Sequence, residues 1–171
     1  MRQIILDLLD YSRVGSHDVE LEEVNITNVI TEIQSLHRKQ IDEISAKIET
    51  SDLPQILSYK TPIRQVLQNL ISNALKYHTK GIPLIIKLGV KDKVKYWQFY
   101  VKDNGIGMNE ENFKKIFIIF QRLHNKEEYA GTGMGLAICK KIVNSLGGRI
   151  WVEANSDQGS CFYFTIPKIK L

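Results

Sequence analysis

Apolar residues recur along this chain with two alternating periods. Ile4, Ile5, Leu8, Leu9 and Tyr11 fall three or four apart and predict a short amphipathic helix over residues 2–12, ended by Gly15-Ser16. A helix this short is marginal alone, so its stripe needs a packing partner. Ile26, Val29, Ile30, Ile33 and Leu36 give a second helical face that continues toward Ile41 and Ile44. A third begins at Thr61-Pro62, with Thr61 as N-cap and Pro62 as the first helical residue, and runs to about Tyr77. Its face of Ile63, Val66, Leu67, Leu70, Ile71, Ala74 and Leu75 is wide enough to be buried. Glu20 to Asn25, Ala46 to Thr50 and Gln55 to Tyr59 read as short strands. Ile82, Leu84, Ile86, Leu88 and Val90 alternate strictly, and after a turn at Lys91-Asp92-Lys93 so do Trp97, Phe99 and Val101, which predicts an antiparallel hairpin. Asn109 is expected to cap a short helix through Phe117. Residues 118–133 show no period and read as a mobile loop. Leu136, Cys139, Ile142, Val143 and Leu146 then form a helical face stopped by Gly147-Gly148. Two last strands, Arg149 to Ala154 and Cys161 to Ile166, flank a turn through Asp157-Gln158-Gly159. This order predicts an α+β fold, a mixed sheet with helices on one face.

Composition narrows the classes. A chain of 171 residues suits one domain, or one domain with a short appendage, and 43% apolar with 25% charged residues is ordinary for a soluble globular protein. A net charge of +4 suits an anionic ligand, but no dense Lys/Arg run marks a nucleic-acid footprint. No apolar run reaches membrane-spanning length and the N-terminus does not read as a signal peptide, so no membrane contact by this stretch is expected. Cys139 and Cys161 sit inside apolar patterns and read as buried free thiols in a reducing compartment, which makes a cytoplasmic location the expectation. Cys and His spacing offers no zinc site.

Three stretches carry candidate chemistry. Residues 97, 99, 101 and 103 share one strand face, and after three large apolar side chains the fourth is Asp103, followed by Asn104-Gly105-Ile106-Gly107-Met108. A carboxylate at the end of a core-facing stripe is costly unless hydrogen-bonded. Asp103 either caps the turn or accepts the amino group of a purine at the bottom of a pocket, with Gly105 and Gly107 admitting close backbone approach. On the helix over 62–77, Asn69, Asn73 and Lys76 project from one side among apolar neighbours. The stripe is either solvated, as Gln65 and Gln68 are expected to be, or turned toward a ligand. An amide oxygen suits Mg²⁺ and a lysine suits a phosphate. Gly131-Thr132-Gly133-Met134-Gly135-Leu136 opens the next helix, where backbone N–H groups and the helix dipole can hold an anion. Neither a Walker loop nor a dinucleotide fingerprint is present.

Together these segments resemble the motifs of sensor histidine kinases. Asn69 to Tyr77 is similar to the N box, Asp103 to Met108 to the G1 box, Phe113 to Phe120 to the F box, and Gly131 to Leu136 to the G2 box. The resemblance runs from about residue 20 to 168, includes the closing Gly159 to Pro167, and is greatest to kinases attached to phytochrome or PAS sensors. It implies the Bergerat α/β sandwich shared with DNA gyrase and mismatch-repair ATPases, with a mostly antiparallel sheet. It also implies ATP and Mg²⁺ as ligands. Asp103 would bind the adenine amino group, Asn73 would be the ligand to Mg²⁺ with Asn69 beside it, Lys76 would reach the phosphates and Tyr77 would line the nucleotide. Gly105, Gly107, Met108 and Thr165 join the implied nucleotide contacts. Residues 117–134 would be a lid, with Arg122 toward the γ-phosphate and Gly131, Thr132, Gly133, Met134, Gly135 and Leu136 as its hinge and phosphate-contacting end.

Two departures have chemical meaning. Hydrolytic ATPases of this fold carry Glu where Asn69 stands, and an amide cannot serve as a general base at neutral pH, so phosphoryl transfer is expected over hydrolysis. His17, His37, His78 and His124 all read as structural or surface residues, since none has the setting of the family's phosphoacceptor. Residues 1–14 resemble the end of the second dimerisation helix, with 15–171 as the catalytic domain. The chain is therefore expected to bind nucleotide without phosphorylating itself. Implied partners are a dimerisation and phosphoacceptor domain and a response regulator receiver domain, with a homodimeric full-length kinase. A hydrolytic ATPase and a non-catalytic nucleotide-binding interaction module are the alternatives. Smaller departures are Lys60, where Asp is frequent, and Ala130, where many members have a further Gly.

Overall fold

The computed structural model describes residues 2–15, 20–122, 131–155 and 158–169; the expectations that rest on His17, His124, Ala130 and Asp157 lie outside them. Five helices and seven strands follow in the order α1 (Arg2–Arg13), β1 (Glu22–Asn25), α2 (Ile26–Leu36), α3 (Arg38–Glu43), β2 (Lys47–Thr50), β3 (Gln55–Ser58), α4 (Lys60–Lys76), β4 (Ile85–Asp92), β5 (Tyr96–Asp103), α5 (Gly135–Ser145), β6 (Ile150–Ala154) and β7 (Ser160–Pro167). The main sheet has the order β2-β4-β5-β7-β6, and all its pairings are antiparallel except β2 with β4. The fold is the α+β sandwich expected from the periods, with helices on one sheet face.

The core forms where the two periods meet. All seven apolar residues of the α4 stripe are buried, the six larger than alanine each worth roughly 1.5–3 kcal/mol of transfer free energy. They face the inward side of the sheet, where Phe99 of β5 pairs across to Phe164 of β7 with the rings stacked at 4.6 Å. On α5, Ile138, Cys139, Ile142 and Val143 close the same cluster.

Several local expectations are corrected. The run from Ile26 to Ile44 breaks at His37 into two helices, and Ser45 takes a left-handed φ of 52° to turn the chain into β2. β2 and β3 are neighbours in sequence but lie in different sheets, because β3 pairs antiparallel with β1. Helix α4 begins at Lys60 after Tyr59, without a side-chain cap, so Thr61 is no N-cap and Pro62 is the third helical residue. Pro remains tolerable there, since N–H groups of a first turn have no intrahelical acceptor. β4 starts at Ile85 and Ile82 is exposed in the preceding turn. Two 3₁₀ turns, Glu110–Asn112 and Lys115–Phe117, replace the single helix, and Asn109 makes no side-chain cap.

α1 lies against α5. Lys141 Nζ donates to the Tyr11 carbonyl and sits 4.3 Å over the Tyr11 ring, and Tyr11 and Val14 pack on the core. Among the described residues no helix is long and apolar enough to cross a membrane.

Candidate functional site

One cavity of about 270 Å³ collects most of the residues singled out in the sequence. It opens between α4, the end of β5, the start of α5 and β7. The strand period delivers Asp103 to it as the last residue of β5, on the same face as Phe99 and Val101 and only 8% exposed. Asp103 Oδ1 accepts the Gly105 N–H at 2.8 Å and the Ser160 N–H at 3.4 Å. The residue therefore caps its turn and lines the cavity at once. Burial pushes its carboxyl above the usual carboxylate range, and the Gly105 and Ser160 bonds offset part of that.

The turn after β5 is keyed to α4. The Ile106 N–H donates to the Tyr77 carbonyl at 3.0 Å, and a Cβ on Gly105 would overlap that same oxygen. Only glycine lets the turn lie flat on the helix end. Gly107 and Met108 continue the cavity wall, and Ile106, Ile116 and Phe162 add apolar sides. Phe162 is held by Phe117, edge-on at 6.5 Å.

The last turn of α4 supplies further lining. Asn73, Lys76 and Tyr77 line the cavity, and Lys76 Nζ lies 4.5 Å over the Tyr77 ring. Gly131, Thr132, Gly133, Gly135 and Leu136 face them. Arg122 donates from Nη1 to the Gly131 carbonyl at 2.6 Å, and a Cβ on Gly131 would stand 2.7 Å from Lys76 Nζ. Two cations thus converge on the glycine segment next to the N-terminus of α5.

Four predicted residues lie off the cavity wall. Asn69, one turn before Asn73, donates Nδ2 to the Gly135 carbonyl at 3.2 Å and so holds the loop. Gly105 is buried under Tyr77, and Met134 is fully buried in the core. Thr165 is a correction: it stands three residues past Phe162 on the opposite strand face, and its hydroxyl accepts the Arg149 N–H at 3.0 Å. Sequence reasoning missed Ser160, Ile106, Ile116 and Phe162, of which the apolar three carried only a core signal. It also missed Asp7 of α1, which lines the cavity and accepts the Thr132 hydroxyl.

Chemically, the cavity wall combines a carboxylate acceptor and apolar side chains with an amide, an ammonium and a guanidinium. Such a lining suits a flat heterocycle bearing an amino group joined to a polyphosphate.

Residues 59–170 match the family described as histidine kinase-, DNA gyrase B- and HSP90-like ATPase. The chain is 41% identical over 167 residues to the phytochrome-like protein Cph1 of Synechocystis sp., covering 98% of this chain and 22% of that protein. It superposes on full-length ShkA in complex with AMPPNP with a TM-score of 0.83 at 26% identity, covering 99% of this chain and 36% of the other. Histidine kinase ThkA in complex with the response regulator protein TrrA gives a TM-score of 0.75 at 28% identity, with 98% and 47% covered. The chain thus spans about a fifth of the length of the curated relative.

Proposed function

This chain belongs to the histidine kinase-, DNA gyrase B- and HSP90-like ATPase family, and from that premise we propose that it is the ATP-binding catalytic domain of a cytoplasmic sensor histidine kinase. The full protein would transfer the γ-phosphoryl group of ATP to a histidine on a dimerisation domain, from which a response regulator aspartate receives it. The observation that supports the reading is that Asp103 and the Asn73–Lys76–Arg122 group line one cavity.

Each residue has a role that follows from its position. Asp103 Oδ2 accepts the adenine amino group, while Ile106, Met108, Ile116 and Phe162 sandwich the ring. Lys76 and Arg122 neutralise phosphate charge, and the Gly131–Gly135 backbone wraps the phosphate tail. Among the described residues no cluster of three or more His, Cys, Asp or Glu side chains could hold a metal. A divalent cation would be held by Asn73 as a protein oxygen, with the phosphates supplying most of the other ligands. Bound there, Mg²⁺ would offset phosphate charge during transfer.

A hydrolytic ATPase needs a base near the phosphate end. Asn69 is a hydrogen-bond donor to Gly135, a role a carboxylate cannot fill, so this chain's own geometry uses the amide as an amide. The test is to mix the chain with a separate dimerisation domain carrying the acceptor histidine and labelled ATP. Label on that histidine, lost in Asn73→Ala, is the expected result. Labelled inorganic phosphate with no phosphohistidine would favour hydrolysis. Tight nucleotide binding with neither product would favour a non-catalytic module.

A further inference from the structure

The Asp7 carboxylate has no role in the function just described, yet it lies in the cavity. α1 runs along α5 and is fastened near its C-terminal end by Lys141 on Tyr11. About one turn earlier along the helix, Asp7 reaches the mouth of the site. One carboxylate oxygen, Oδ1, accepts Gln3 Nε2 at 2.8 Å, an i, i+4 bond that orients the group. The other, Oδ2, accepts the Thr132 hydroxyl. That hydroxyl in turn accepts the Met134 N–H at 3.4 Å, just before the first helical residue of α5, Gly135.

The surroundings are those of an anion site. Lys76 and Arg122 both converge on Gly131, the residue before Thr132, and both line the cavity together with Asp7. The N-terminus of α5 adds partial positive charge. A carboxylate on the preceding helix thus occupies the part of the cavity assigned above to the phosphates.

We propose that Asp7 is a built-in competitor of the nucleotide phosphates, so that docking of α1 on the domain and binding of ATP or ADP oppose each other. The inference rests on the nucleotide-site reading above. Phosphates arriving at Thr132 meet a like charge, which is relieved by withdrawal of α1 from its Lys141–Tyr11 contacts and from the packing of Tyr11 and Val14. By reciprocity, whatever pulls α1 from the domain raises nucleotide affinity by the same factor. The position of the preceding helix would then set how readily the site loads.

Calorimetry on the whole chain with ADP and with adenosine tests this. Asp7→Asn removes the charge and keeps the size. It should bind ADP about three- to tenfold tighter than the native chain, the effect of one nearby like charge at high effective dielectric, with adenosine unchanged. Amide hydrogen exchange gives an independent reading: exchange in residues 3–13 should rise when ADP is added to the native chain and stay constant with adenosine. Equal or weaker ADP binding by Asp7→Asn, or α1 more protected with ADP, would overturn the competition while leaving the nucleotide site standing. Failure of the native chain to bind ADP at all would instead remove the nucleotide site, and the competition with it.

Discussion

Replacing Asp103 with Asn should separate two quantities that the native carboxylate couples: the stability of the empty fold and the affinity for nucleotide. Burial raises the Asp103 pKa above its unfolded value, with the Gly105 and Ser160 N–H bonds only partly opposing the shift. The stability this group contributes is therefore fully present below the unfolded carboxylate pKa and is lost as pH rises through the folded one. Above the folded pKa the empty fold carries a buried ionised group that Asn does not have. Asn still offers Oδ1 to Gly105 at the same place. The variant's Tm should accordingly exceed that of the native protein at pH 8, and the gap should narrow toward pH 4. Binding moves the other way. The amide puts an NH₂ where Oδ2 stood, so a donor faces the adenine amino group. Losing a charge-assisted hydrogen bond and leaving a donor unpaired costs about 2–4 kcal/mol, roughly 30- to 1000-fold in Kd. Calorimetric titration with ADP at pH 7.5 and thermal unfolding of the empty protein at pH 4 and 8 read both quantities. A variant less stable than the native protein at pH 8, or one binding ADP within threefold of it, would refute the reasoning.

Lys76→Met should weaken ADP binding by about tenfold and leave adenosine unaffected, because only phosphate contact is lost; equal weakening of both would point to a disturbed helix end instead. Gly148→Ala should cost on the order of 3 kcal/mol in urea unfolding, since the new Cβ would overlap the Thr165 carbonyl oxygen. Gly89→Ala, whose Cβ would meet the end of the Tyr100 side chain, should cost about 1 kcal/mol or less because that ring can swing away. Burial pushes the Cys139 thiol up to about 12 and raises Cys161 as well. Neither thiol should react with an aromatic disulfide reagent at pH 8 while the protein is native, and both should react in denaturant. Rapid native labelling of Cys139 would show that its surroundings open.

What was legible in the sequence depended on how far apart the partners lie. The α4 face and the β5 alternation were readable because a helix or strand repeats its own environment every few residues. Asp103 stood out for the same reason, as a polar residue in an apolar phase. The break at His37 was not readable, since Ile41 and Ile44 keep the spacing of Ile33 across it. β2 and β3 show that periodicity identifies strands without naming their partners. Asp103 with Ser160 is a contact across 57 residues, and Asp7 with Thr132 one across 125. Such pairs leave no local trace. Thr165 was misplaced for a simpler reason: one step along a strand reverses the side chain's direction, and the implied contact ignored the phase set by Phe162 and Phe164.

The joint between Ile106 and the Tyr77 carbonyl makes the cavity a calliper. One jaw is the end of β5, fixed in the sheet by pairing to β4 and β7; the other is the last turn of α4, fixed by the core. Their junction is a backbone-to-backbone bond, so the way the two walls meet does not depend on any side-chain rotamer. A compound that satisfies only one jaw, however well, leaves the other's desolvated groups unanswered.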